Sequence, residues 1–467
     1  MSRCASAVLL LLTIGLMDGP AHAQSAEGPL EPNVVLVLVD DLGWMDLHVQ
    51  GNERLDTPNI DRLASQGMRF TAAYSAAPVC SPVRASIMTG QAPARHRITN
   101  HIPELGQFTP DDAELLPAAT LNHLAASHVT LAERLGAAGY ATALIGKWHL
   151  AGPPGRLGEG RLDAYPEAQG FDLNVGGCAL GGPPTYFDPY YIHNLPPRRT
   201  GEYLPERLAD EAVGFIEDHA DEPFFLCLWT YTVHWPIEAP ERLVRKYVER
   251  MGPGLKDPRY AAMIEAMDTA VGRVLATLGS LGLTERTLVI FTSDNGGYLD
   301  ATDNGPLREG KGYLFEGGIR VPMIVRWPGV TKPWTLCDTP VISTDLFPTI
   351  LAAAGLALDP ELPCDGEDLG PLLRGTGTLA RDALFWHYPN YAWHQSNRPG
   401  AAIRSGKWKL IRRFDDESVE LYDLESDLEE RHDLARKLPE RAAAMRERLR
   451  AWLVETDAAM PMRREEG

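Results

Sequence analysis

The run Asn33–Val39, NVVLVLV, constrains this chain more than any other stretch. It is apolar without alternation and stops abruptly at Asp40-Asp41. A strand with apolar side chains on both faces must be covered on both faces, which is the position of a central strand in a parallel sheet. Residues 140–145, 224–229 and 288–292 read as further buried strands. Helical stretches lie between them at 131–138, 206–218 and 259–278. Thr57-Pro58 opens another helix that runs to Gln66 and stops at Gly67. Strands alternating with helices predict an α/β fold, a large and mostly parallel sheet sandwiched by helices. Beyond about residue 375 the pattern becomes short strands at 383–388, 407–412 and 419–422, closed by a charged helix at 439–454. The predicted organisation is an α/β domain over 24–375 and a smaller C-terminal α+β subdomain over 376–467.

Residues 1–23 read as a secretory signal peptide, with Arg3, an apolar run from Ala7 to Met17 and the small-x-small pattern Ala21-His22-Ala23. That run is shorter than the roughly 20 residues a bilayer span takes, and no other stretch qualifies. The mature chain is therefore expected to be secreted or periplasmic, with no membrane span. Cys4 leaves with the signal, so five of the 6 cysteines remain: Cys80, Cys178, Cys227, Cys337 and Cys364. An odd count in an oxidising compartment points to one thiol with a different fate. Cys227, inside an apolar strand, reads as an inert core thiol. Cys337 and Cys364 could form a local disulfide, although sequence alone does not fix pairing. With 63 acidic residues against 44 Lys and Arg, the net charge is -19. Such a chain gains nothing from counterion release, which excludes nucleic acid as a partner. An anionic substrate would need a local cationic pocket, because the global field repels it.

Five polar clusters follow strands or sit on glycine-rich loops. Asp40-Asp41 and Asp294-Asn295 come directly after two of the strands, where sites form in open α/β sheets. Adjacent carboxylates repel unless a cation lies between them, and Asp and Asn oxygens suit a hard ion such as Ca²⁺ or Mg²⁺. Cys80-Ser81-Pro82-Val83-Arg84 opens a helix, so Cys80 stands at the positive helix end with Arg84 one turn on. Lys147 and His149 follow the strand at 140–145 and, two apart, share one side of an extended chain. His234 follows the strand at 224–229, and Lys311 lies in Glu309-Gly310-Lys311-Gly312. Each cluster alone also fits a capping, core or solvated role. Together they supply what hydrolysis of a tetrahedral anionic ester requires: metal oxygens, a nucleophile, cationic clamps and a proton donor.

From about Asn33 to about Leu434 the chain resembles the type I, formylglycine-dependent sulfatases of the alkaline-phosphatase-like superfamily. Cys80-x-Pro82-x-Arg84 matches that family's maturation motif, and Gly139-Tyr140-Ala141-Thr142 through Gly146-Lys147-Trp148-His149 resembles its second signature. Glu420-Leu421-Tyr422-Asp423-Leu424, with Glu430, His432 and Asp433-Leu434, resembles its C-terminal pattern. The resemblance implies a sulfuric ester hydrolase in which a formylglycine-generating enzyme oxidises Cys80 to formylglycine (3-oxoalanine). One hydroxyl of the hydrated aldehyde attacks sulfur, and the other then expels sulfate. It implies one Ca²⁺ on Asp40, Asp41, Asp294, Asn295 and the modified Cys80. Arg84 and Lys147 steady the diol, His149 takes the proton in sulfate release, His234 is the general acid, and Lys311 clamps the sulfate. Val83 departs from the small residue more usual there, and Met45 and His48 from glycine; His48 is expected merely to fill space.

The stretch 386–394, with Trp386, His387, Tyr388, Tyr391, Trp393 and His394, reads equally well as a sugar-binding lining or as the small domain's core. His387, His394 and Arg404 are the substrate residues expected if it lines the pocket, with a sulfated carbohydrate as substrate. Two alternatives stand beside this reading: a formylglycine-dependent phosphonate monoesterase or phosphodiesterase, and a non-catalytic sulfoglycan-binding protein. The oligomeric state is open.

Overall fold

The computed structural model describes residue 1 and residues 31–103, 106–394 and 396–464. The expected signal segment falls outside the described residues apart from residue 1. The described residues from Glu31 onward belong to one compact unit.

The large sheet has eight strands: β1 (Asn33–Val39), β2 (Met68–Phe70), β3 (Ala141–Gly146), β4 (Leu173–Val175), β5 (Phe224–Trp229), β6 (Thr287–Ser293), β7 (Met323–Arg326) and β8 (Thr335–Cys337). Their order is β8-β2-β7-β6-β1-β5-β3-β4. The run β6-β1-β5-β3-β4 is parallel throughout, and β7 lies antiparallel to both β6 and β2. All seven residues of β1 are buried, as its unbroken apolar run requires. Strands β2, β4 and β8 have three residues each, too short for periodicity to announce them.

The helices that matter here are α1 (Pro58–Ser65), α2 (Cys80–Thr89), α3 (Leu131–Ala137), α4 (Leu204–Asp218), α5 (Pro258–Ser280) and α6 (Pro439–Glu455). Helix α2 is buried on every side, so its polar residues must be satisfied internally. Ser81 Oγ donates to His149 O at 3.1 Å, Thr89 Oγ1 to Ala85 O at 2.8 Å, and Ser86 Oγ lies 3.1 Å from His96 Nε2.

The smaller sheet is antiparallel, with order β9 (Ala383–Tyr388), β10 (Gly400–Ser405), β11 (Trp408–Arg413), β12 (Val419–Asp423). Strand alternation divides its side chains cleanly. Trp386, Tyr388, Ala402, Ile411 and Tyr422 pack against Tyr74, Val79 and Tyr313–Phe315 on the large-sheet side. Ala401, Ile403, Leu410 and Leu421 pack under α6 through Met445, Leu449 and Leu453. The strand β10, an internal member of this sheet, has no apolar–polar alternation strong enough to mark it in sequence. All five described cysteines are free, so Cys337 and Cys364 are not bridged, and Cys227 is a fully buried core thiol.

Candidate active site

Four neighbouring parallel strands end in line. Val39 of β1 pairs with Ser293 of β6, Leu38 pairs with Trp229 of β5, and Gly146 of β3 pairs with the same Trp229. Whatever follows each strand therefore emerges at one carboxyl edge of the sheet, the usual place for a site in this architecture. There the chain delivers Asp40-Asp41, Asp294-Asn295, the 230–234 loop, and Lys147 with His149. Helix α2 brings Cys80 and Arg84 to the same point. Lys311 arrives on a loop whose Gly310 has no room for a side chain; a Cβ there would lie 2.5 Å from Gly297 O.

The charges interlock. Lys147 Nζ donates to both Asp40 oxygens at 2.9 and 2.7 Å. Arg84 donates from Nε and Nη2 to Asp294 Oδ2 at 3.0 and 2.6 Å, and from Nη1 to Lys147 O at 2.8 Å. Lys311 Nζ donates to Asp41 at 2.7 Å, and Asn295 Nδ2 donates to Asp41 Oδ1 at 2.8 Å. Asn295 Oδ1 is buried with no hydrogen-bond partner. Ligand atoms of Asp40, Cys80 and Asp294 lie within 4.8 Å of one another, close enough to share one metal ion. Burial, only partly offset by Lys147, pushes the Asp40 carboxyl well above its usual range. Asp41 goes the other way, because Lys311, His234 and Lys147 together outweigh its burial.

His149 and His234 are each anchored through one nitrogen and turn the other toward the cluster. His149 donates from Nε2 to Ile102 O, which turns Nδ1 as an acceptor toward Cys80 Sγ, 3.3 Å away. His234 donates from Nδ1 to Trp235 O at 2.6 Å and presents Nε2 toward Asp41 Oδ2 at 3.8 Å. Burial, followed by the charges of Lys311 and Lys147, pushes His234 down to about 3; Asp41 opposes the shift. Burial also raises the Cys80 thiol above its ordinary value, so unmodified Cys80 is a protonated thiol and a poor nucleophile.

The structure corrects two of the three expected substrate residues. His387 shares the face of β9 with Phe385, pointing under α6, where its Nε2 bonds Ala459 O at 2.8 Å and its ring meets Phe414. Arg404 lies on the opposite face of β10 but is committed to the Tyr74 hydroxyl and to Gly406 O at 3.1 Å. Strand parity decided both. His394 does reach the site's border: its ring stacks on Tyr313 at 5.0 Å and adjoins Trp393 at 5.1 Å. Trp386 and Tyr388 are core, with Trp386 Nε1 donating to Ser75 O at 2.8 Å. His48 faces Asp61 at 2.7 Å, away from the clusters.

Two further residues stand at the site's border: Trp393, which sequence shows only as one member of the aromatic run 386–394, and His101, which sequence does not single out. Lys311 Nζ lies 5.6 Å from the centre of the Trp393 ring, which also meets His101, Phe108 and Tyr298 at 6.2, 6.0 and 6.3 Å. His101 is pushed down to about 4 by burial and then by the charges of Lys311 and Lys147. It sits in a loop with no local pattern; its proximity to the site arises only in three dimensions.

Residues 32–356 match the sulfatase family, and residues 310–458 match the C-terminal region of N-sulphoglucosamine sulphohydrolase. The chain belongs to the sulfatase family, sulfuric ester hydrolases of the alkaline-phosphatase-like superfamily. It is 32% identical to a protein named sulfatase from Formosa agariphila, with 96% of this chain and 94% of that protein covered. Arylsulfatase A of Homo sapiens is 36% identical, covering 81% of this chain and 74% of that one. The crystal structure of Ps i-CgsB in complex with k-i-k-neocarrahexaose superposes with a TM-score of 0.75 at 28% identity, over 91% of this chain and 93% of that chain.

Proposed function

We propose that this chain is an exported carbohydrate sulfatase that acts through Cys80 converted to formylglycine, with one Ca²⁺ held by Asp40, Asp41, Asp294 and Asn295. The observation that carries the reading is the convergence, around Cys80 Sγ, of groups from four strand ends, α2 and the Lys311 loop. The donor set fits a hard divalent ion: four oxygen-bearing side chains meet, and the buried Asn295 Oδ1 lacks any partner. Three carboxylates stand against Arg84, Lys147 and Lys311, so the protein groups nearly cancel. A divalent ion would leave the pocket cationic, able to draw an anionic ester against the net charge of -19, and would neutralise charge developing on the ester oxygens. Formylglycine at position 80, installed by a separate generating enzyme, would supply a hydrated aldehyde with one hydroxyl to attack sulfur and one to release sulfate.

The chain's own residues then divide the work. Arg84 spends its donors on Asp294 and on Lys147 O, which fixes the floor of the site. Lys147 and Lys311 hold the anionic end. His149 Nδ1, held as an acceptor 3.3 Å from residue 80, takes a proton there. His234 delivers a proton from Nε2 to the leaving oxygen in its imidazolium form, since Nδ1 keeps the hydrogen given to Trp235 O; an anionic ester beside Lys311 would oppose the downward shift that burial and then the lysine charges produce. Trp393, with His101, Phe108 and Tyr298, forms an aromatic wall next to Lys311 that suits a pyranose ring. The neocarrahexaose complex of the 28% identical relative supports a sugar substrate. The signal-like residues 1–23 motivate export.

Mass analysis of the peptide spanning residue 80, with kinetics on sulfated oligosaccharides and an aryl phosphate diester, tests the proposal. The expected result is an aldehyde mass and preferential sulfate release. An unmodified thiol in fully active protein, or clear preference for the diester, would overturn it.

A further inference from the structure

We propose that the dipeptide Gly181-Gly182 is the positioning element for both histidines of the site, one glycine behind each ring. This rests on the roles proposed above for His149 and His234. A Cβ on Gly181 would lie 2.6 Å from His149 Nε2 and 2.7 Å from its Cε1. A Cβ on Gly182 would lie 2.6 Å from His234 Nδ1, 2.8 Å from its Cε1 and 3.0 Å from Trp235 O. Carbon and nitrogen do not approach this closely, so neither position admits a side chain while the rings stay where they are.

The approach is on the anchored side of each ring. Nε2 of His149 carries the hydrogen given to Ile102 O, and Nδ1 of His234 carries the one given to Trp235 O. The opposite nitrogens face Cys80 and Asp41. A wall behind the anchored nitrogens therefore sets how far the working nitrogens project into the site. Displacing either ring by a few tenths of an ångström changes a proton-transfer geometry on which general acid–base catalysis depends steeply.

The chain is tied down on either side of the dipeptide. Tyr231 Oη donates to Gly176 O at 2.8 Å, and His149 N donates to Cys178 O at 3.0 Å. Past the dipeptide, Tyr186 Oη donates to His234 O at 2.9 Å. Pro183 and Pro184 follow directly, and proline restricts both its own backbone and that of the residue before it. The segment is thus tied to the backbones of both histidines. Nothing in its composition marks it as part of the site, since glycines carry no chemistry of their own.

The test uses Gly181→Ala and Gly182→Ala in the full chain. Gly214→Ala in α4, where a Cβ meets nothing within 4 Å, is the control expected to keep activity. Turnover is measured on aryl sulfates of graded leaving-group pKa and on an unactivated sugar sulfate, with formylglycine content checked by mass. Gly182→Ala is expected to lose kcat by a factor that grows with leaving-group pKa, by roughly tenfold or more across the series. Gly181→Ala is expected to impose one common kcat ceiling on all esters, so that its loss is largest on the most activated aryl sulfates, because His149 acts after the leaving group has gone. Unchanged kcat, or a loss confined to KM, in matured and folded variants overturns the proposal. A double-variant cycle with His234→Ala separates it from the acid assignment. If Gly182 acts through His234, adding Gly182→Ala to His234→Ala costs nothing further; a full additive loss overturns the positioning role. Should Gly182→Ala alone fail to fold, the double variant, freed of the ring and left only with the 3.0 Å approach to Trp235 O, is expected to be more stable than Gly182→Ala, and equal instability overturns the proposal. Absence of leaving-group dependence in His234→Ala alone would instead remove the acid assignment.

Discussion

At the carboxyl edge of the large sheet, Asp40, Asp41 and Asp294 face Arg84, Lys147 and Lys311. Between β11 of the small sheet and the 313–320 segment, Glu316 and Glu430 face Lys409 and Arg320. Both clusters balance in charge and both are buried, yet they are finished differently. Around Glu316 the oxygens end on fixed donors: Oε1 on Lys409 Nζ at 2.9 Å, Oε2 on Tyr74 Oη at 2.7 Å and Arg320 at 3.1 Å. Glu430 accepts from Glu316 N at 2.7 Å through Oε2, while its buried Oε1 has no hydrogen-bond partner and is met only by the charge of Lys409 Nζ, 2.9 Å away. Around Cys80 a buried amide oxygen has no partner, and one wall opens to solvent where His234 is 20% exposed. Charge balance therefore does not separate a site from a joint. A way in from solvent beside a cluster that includes Cys80 does.

The contrast can be broken in order of effect. Cys80→Ala is expected to lower sulfate release by at least about a thousandfold while leaving the thermal midpoint within a few degrees of wild type, because residue 80 is the proposed nucleophile and the change removes a single sulfur atom. Near-normal turnover in that variant would remove the distinction. Stripping divalent ions with a chelator is expected to cost roughly a hundredfold or more in kcat, restored by Ca²⁺; activity indifferent to the chelator would count against the ion. At the joint, Lys409→Met is expected to lose about 3–5 kcal/mol of stability in denaturant titrations, because it strands two buried carboxylates. The surviving folded fraction should turn over at a near-normal rate, and a selective loss of kcat would place Lys409 in the chemistry instead.

Smaller effects sharpen the comparison. Trp393→Ala is expected to raise KM for a sulfated oligosaccharide by roughly tenfold, the scale of a lost stacking contact. His387→Ala should leave KM unchanged, and equal effects from both would undo the division of the aromatic stretch. Burial, opposed by Lys409 and reinforced by Glu316, pushes Glu430 up to about 7 from 4.5. Between those pH values the folded chain holds a proton that the unfolded chain has released. The contribution of Glu430 is thus fully present below about 4.5 and is lost as pH rises through about 7. Glu430→Gln should flatten that fall in a plot of stability against pH; an unchanged slope would assign the shift elsewhere.

Much of this site was legible before any coordinates. Asp40, Asp41, Asp294, Lys147, His149 and His234 all sit just past buried strands, and a parallel sheet forces strand ends to one edge. Cys80 and Arg84 were legible because one helical turn separates residues four apart. His387 and Arg404 are placed by strand parity in the small sheet, and that parity is hidden in sequence because β10, GAAIRS, carries no clear apolar–polar alternation. Trp393 was visible only as part of an aromatic run that the fold then divided between core and pocket. His101 and Gly181-Gly182 carried no signal, since a loop histidine and a glycine pair look the same wherever they occur.

The chain's order of residues determined the element types, the carboxyl-edge chemistry and the family, because these depend on local periodicity and on which residue follows which strand. Tertiary structure alone decided which aromatics face the pocket, which charged cluster is closed, and what stands behind each imidazole. Those are distances between residues tens or hundreds of positions apart, set by packing, and no local pattern encodes them.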